Sequence, residues 1–196
     1  MALSSRLPAP LVPLSGALLG VFGYGLIALL PRGPGAVAAL AMWTAATLAE
    51  GERGLARWFP RLPLSGSLLA FCTILVRWYA LMSLQLAPGI VAAMALGPAA
   101  SVALAWVSRP VDDAAFRRLS VLTAPQAAIA MAEGAAMTLF CGVRTGIVLV
   151  LVTWLLLRGA AALENWRWGG VRGSDLEAFR VLVETGSLTL LAIMAV

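Results

Sequence analysis

At 196 residues, with 61% hydrophobic and 12% charged residues and a mean hydropathy of +0.93, the chain is more apolar than a water-soluble domain, whose apolar share is roughly 45–50%. All fourteen basic residues are arginine and there is neither lysine nor histidine, which excludes a Ser/His/Asp triad, a histidine base or metal ligand, and a lysine Schiff base. The pI near 10.6 is read as a membrane-orientation signal or a means of gripping phosphorylated groups, and a nucleic-acid partner is not expected.

In hydrocarbon, a chain satisfies its peptide groups by coiling into helices, and each span needs ~20 residues to cross ~30 Å. The expected fold is therefore all-α: a polytopic transmembrane bundle of about seven helices, one integral membrane domain over residues 1–196, with no length left for a separate soluble domain. The first predicted helix, 11–30, is longer than the roughly 7–15 residue core of a signal peptide and is expected to remain as a span. It ends at the breaker Pro31-Arg32-Gly33-Pro34-Gly35. The second, 36–50, has a short apolar part and meets the charged stretch Glu50-Gly51-Glu52-Arg53-Gly54-Leu55-Ala56-Arg57, which is expected near membrane depth.

The third helix, 64–82, carries Arg77 beside Trp78 and Tyr79, where an arginine can snorkel to the interface. The fourth, 90–107, is expected to be interrupted at Gly97-Pro98 and exits into the longest polar loop, 108–123. The fifth, 125–143, holds Glu133, with Arg77 or Arg144 as its expected partner. The sixth, 146–163, runs into a second polar segment, 158–174, and the seventh spans 175–196. Cys72 and Cys141 lie in apolar runs and read as packing residues.

This layout puts Arg6, Arg53, Arg57, Arg61, Arg109, Arg117, Arg118, Arg158, Arg167 and Arg172 on one side and only Arg32 and Arg144 on the other. Arginine-rich connections stay in the cytoplasm, so the N-terminus is expected inside and the C-terminus outside. Trp58, Trp106, Trp166 and Trp168 fall near cytoplasmic span ends, as an aromatic belt would.

Two stretches could carry chemistry. At the exit of the second helix, Glu50 and Glu52 could hold a hard divalent cation such as Mg²⁺ while Arg53 and Arg57 grip phosphate oxygens; a charged loop that only fixes topology is the alternative. In Gly169-Gly170-Val171-Arg172-Gly173-Ser174-Asp175-Leu176-Glu177, Ser174 with Glu177 reads as a capping box, and Asp175 complements the helix dipole. Glu184 lies two turns deeper among apolar residues, where an ionisable group is either functional or paired; Arg180, one turn away, could neutralise it. Asp113 and Arg117 form an i,i+4 pair on an expected short surface helix, and Arg117 and Arg118 could help hold an anion.

Leu7-Pro8-Ala9-Pro10, then Pro13-Leu14-Ser15-Gly16-Ala17-Leu18-Leu19-Gly20, resembles the opening of the cobalamin synthase family, the adenosylcobinamide-GDP ribazoletransferases. Gly54-Leu55-Ala56 falls where that family has its acidic signature, and Gly169-Gly170-Val171-Arg172-Gly173 with Glu184 is similar to its closing segment. The resemblance implies a bacterial inner-membrane, Mg²⁺-dependent phosphotransferase. Such an enzyme joins α-ribazole to adenosylcobinamide-GDP with release of GMP, at a site facing the cytoplasm. It further implies Glu50 and Glu52 as metal ligands, Asp175 and Glu184 as catalytic acids, and Arg53, Arg57, Arg61, Arg117, Arg118 and Arg172 as substrate-binding groups.

The signature departs from the family's His-Leu-Asp-Gly-Leu-Ala-Asp, since Arg53 and Arg57 stand where two aspartates would. An arginine cannot ligate Mg²⁺ and adds repulsion to it. Two readings follow. In one the acidic residues substitute for the lost aspartates; in the other a non-catalytic relative binds a corrinoid, a nucleotide or a partner membrane subunit. A small transporter is disfavoured, because Glu133 and Glu184 supply little intramembrane polarity to line a pathway.

Overall fold

The computed structural model describes residues 8–58, 65–83, 87–112 and 122–194. Among them the chain is all-helical: α1 (Leu11–Leu29), α2 (Arg32–Trp58), α3 (Ser65–Ser83), α4 (Ala87–Val107), α5 (Ala124–Thr138) with a 3₁₀ turn (Leu139–Cys141), α6 (Val143–Trp168) and α7 (Gly173–Met194). Among the described residues, three helices are long and apolar enough to cross a membrane: Leu11–Leu29, Pro88–Val107 and Val143–Trp168.

Burial is inverted relative to a soluble globule. Large apolar side chains such as Phe22, Leu29, Phe140, Leu155 and Ile193 face outward, while Arg77, Glu164, Asp175 and Glu184 are fully buried. Such a surface suits lipid as solvent, since hydrocarbon accepts leucine and phenylalanine but not unpaired charge. The hub is α4, which packs against α1, α5 and α7. Its Ala92, Ala93, Ala95, Ala99 and Ala103 are buried, and small side chains let neighbouring backbones approach closely. The Trp43 indole fastens α2 to α1 by donating to the Leu19 carbonyl at 3.1 Å.

Three helices depart from the sequence expectation. The second continues through Gly51 and Gly54 to Trp58, so the charged stretch is helical rather than an exit loop. The fourth is continuous across Gly97-Pro98; the proline lacks one amide, and the Ser101 hydroxyl donates to the Pro98 carbonyl at 2.8 Å. The sixth runs on to Trp168, taking in much of the segment expected to be a polar connection. It stops at Gly169, whose φ of 72° is the left-handed conformation glycine adopts at helix ends; its amide donates to the Glu164 carbonyl.

An isolated bridge between Pro110 and Val171 ties the two connections beyond α4 and α6 together, with the Val171 amide donating to the Arg109 carbonyl at 2.7 Å. The last turn of α6 and the first of α7 are thereby held beside the end of α2.

Candidate functional site

The site forms where α2, α6 and α7 converge. Gly54 lets α2 come this close: a Cβ there would strike the Ser174 carbonyl and the Ala178 methyl of α7. One turn further on, Arg57 Nη1 forms an ion pair with Asp175 Oδ2 in the first turn of α7 and lies 3.9 Å from Glu164 Oε2 in the last turns of α6. The guanidinium carbon sits 4.6 Å from the ring centroid of Trp168, a cation–π contact. The Trp58 indole donates to Glu164 Oε1, and its ring lies 6.5 Å from that of Phe179. The Glu164 and Asp175 side chains are fully buried, and that of Arg57 is 13% exposed.

Asp175 also sets the start of its helix. Its Oδ2 accepts the Arg172 amide at 2.8 Å, while the Arg172 carbonyl accepts the amides of Asp175 and Leu176. The helix starts two residues earlier than a Ser174–Glu177 capping box would set it, with Asp175 reaching back to satisfy the Arg172 amide. From across the bridge, the Asp112 carboxylate accepts the Gly173 amide at 3.2 Å, a second cap supplied by a different segment. Exposed Arg109, Arg167 and Arg172 surround this end, and Arg167 shares the Trp168 ring with Arg57.

Two carboxylates facing one guanidinium leave acceptor capacity over. Asp175 Oδ1, Glu164 Oε2 and Arg57 Nη2 are buried without a hydrogen-bond partner among the described residues. Arg57 is the cation its two acids share, and the arginine rim can hold phosphate oxygens.

Glu184 sits in a second cluster deeper in the bundle. Arg77 Nη2 contacts its Oε2 at 2.8 Å and Arg180 Nε its Oε1 at 2.7 Å. Arg77 Nε donates to the Thr185 hydroxyl at 2.8 Å, and Arg180 Nη1 lies 3.9 Å from Glu177 Oε2. Pairing with Arg180 is therefore realised, and α3 adds Arg77 to it. Arg77 was expected to snorkel outward; instead it is fully buried, because only the bundle interior offers it a carboxylate. Glu133, expected to pair with Arg77 or Arg144, does not meet Arg77, and its Oε2 has no hydrogen-bond partner among the described residues. Trp58, expected in an interfacial belt, is buried against Glu164.

Of the remaining sequence candidates, Glu50, Glu52 and Arg53 lie on α2, with side chains outside the described set; Arg172 is exposed at the mouth of the site. Arg61, Arg117, Arg118 and the Asp113–Arg117 pair lie outside the described residues. Sequence reasoning missed Glu164, and it took Trp168 for a belt residue and Asp112 for part of a solvated charged stretch. Glu164 carried a signal, lying one helical turn before Trp168 behind Ala160 and Ala161, but it was grouped with a polar segment.

The Mg²⁺ implied by the family resemblance was placed on Glu50 and Glu52, whose side chains lie outside the described set; Asp175 itself is occupied by the Arg57 guanidinium, which repels a second cation. Among the described residues, no group of three or more His, Cys, Asp or Glu side chains could hold a metal ion. No family model, curated protein or solved structure matches the chain.

Proposed function

We propose that this protein is an inner-membrane bundle of about seven spans, N-terminus cytoplasmic and C-terminus outside, and a divergent member of the cobalamin synthase family. In this reading it binds a phosphorylated corrinoid or nucleotide, such as adenosylcobinamide-GDP, without metal-dependent transfer. The observation that carries the reading is the ion pair of Arg57 with Asp175. A carboxylate held this way is a poor metal ligand and a poor base, whereas Arg109, Arg167 and Arg172 remain exposed beside it to meet phosphate oxygens. The locked state of Glu184 between Arg77 and Arg180 also argues against its taking a proton from a ribose hydroxyl. The arginine asymmetry of the connections supports the orientation.

The transferase reading draws on Glu50 and Glu52, which α2 carries within two turns of Arg57. The two readings separate in one preparation. Protein in nanodiscs is given adenosylcobinamide-GDP, α-ribazole and Mg²⁺; bound corrinoid is measured by equilibrium dialysis, and cobalamin and GMP by chromatography. Retention of the corrinoid without GMP is expected. Mg²⁺-dependent GMP and cobalamin would transfer the assignment to the enzyme, and failure to retain the corrinoid would end the binding reading.

A further inference from the structure

Arg57 is enclosed by groups that recognise a planar organic cation better than a hydrated metal ion. Its Nη1 pairs with Asp175 Oδ2 and approaches Glu164 Oε2 at 3.9 Å, and its guanidinium carbon stands 4.6 Å from the Trp168 ring centroid. Both carboxylates are fully buried, and one oxygen of each, Asp175 Oδ1 and Glu164 Oε2, has no hydrogen-bond partner among the described residues. Their other oxygens accept from the Trp58 indole and the Arg172 amide. A hard divalent cation needs about six oxygen ligands. Two part-occupied carboxylates cannot supply them, and an indole face supplies none, yet that face attracts a delocalised, weakly hydrated guanidinium.

We propose that Asp175, Glu164 and Trp168 form a guanidinium-selective cradle that Arg57 fills from within the chain, as a tethered and permanent cation. An arginine does not deprotonate in proteins, so Arg57 stays cationic at every physiological pH and needs no exchangeable metal beside it to draw α2, α6 and α7 together. The inference shares the Arg57–Asp175 contact with the binding reading above but not its ligand. Loss of corrinoid retention leaves the cradle untouched, and failure of the cradle test leaves retention measurable.

The test is chemical rescue. Arg57→Ala in detergent micelles is titrated with methylguanidinium, MgCl₂ and MnCl₂ at matched ionic strength, and the melting temperature is followed by circular dichroism. Relative to wild type, the variant is expected to lose on the order of 10 °C. Methylguanidinium is expected to restore most of that loss, Mg²⁺ and Mn²⁺ none, and Mn²⁺ resonance spectra should show no more bound metal than in wild type. The proposal is overturned if either metal stabilises the variant as well as methylguanidinium does, or if the folded variant ignores all three. Should Arg57→Ala yield no folded protein, Arg57→Ala/Glu164→Gln/Asp175→Asn decides, since it leaves the cradle uncharged. A folded triple variant that is insensitive to methylguanidinium supports the cradle, and one that cannot fold or still responds removes it.

Discussion

The two buried charge clusters differ in how completely they are closed. Around Glu184, two guanidinia grip both carboxylate oxygens and Thr185 takes a further donor, leaving Arg77 Nη1 as the one atom among these groups buried without a hydrogen-bond partner among the described residues. Around Arg57 one guanidinium faces two carboxylates, and three buried atoms go without such a partner. The first cluster lies within the bundle between α3 and α7; the second sits at a helix junction rimmed by exposed arginines. A saturated network holds helices together, whereas one with unpartnered atoms beside exposed arginines is the better candidate for a site.

Four substitutions sharpen or break this contrast. Glu184→Ala leaves the buried Arg77 guanidinium uncompensated and Arg180 with only Glu177 at 3.9 Å, and is expected to cost about 3–5 kcal/mol, read as a lower midpoint in SDS titration of the micellar protein. A midpoint equal to wild type would mean the inner cluster is not a lock. Gly54→Val pushes α2 away from Ser174 and Ala178 and is expected to cost roughly 1–3 kcal/mol; it should also slow corrinoid retention, because Arg57 moves with its helix. An unchanged retention would separate the helix contact from the site. Trp58→Phe removes the indole donor from a buried carboxylate, for an expected loss of about 1–2 kcal/mol in the same titration, and full stability would show that Glu164 does not depend on it. Arg172→Ala, at an exposed position, should change stability by less than about 0.5 kcal/mol while weakening retention of a phosphorylated ligand by roughly tenfold. Equal retention would take Arg172 out of the rim.

Much of the helical layout was legible because its signals are local. The apolar run bounded by the proline and glycine cluster at 31–35 marks where α1 must stop, within a few residues of its structural end. The misjudged stretches share one cause. Charge at 50–57 and 158–168 was read as a break in the helix, yet arginine and glutamate are good helix formers and carry no instruction to stop. Gly97-Pro98 misled in the opposite direction, since a helix packed on several sides continues through a proline that lacks one amide.

The site was legible only in its parts. Composition by itself determined that the chain carries apolar helices, that its cations are all arginine, and that charges placed among apolar residues must find partners; these follow from the cost of desolvation and need no coordinates. Spacing also suggested Arg180 for Glu184, because residues four apart meet on one helix. Only the tertiary structure decided that Arg57 meets Asp175 across 118 positions, that Arg77 turns inward to Glu184 across 107, and that Glu164 joins the first cluster rather than the solvent. Helical periodicity relates neighbours on one cylinder, whereas the partner of a buried charge on another helix is chosen by which cylinders pack together.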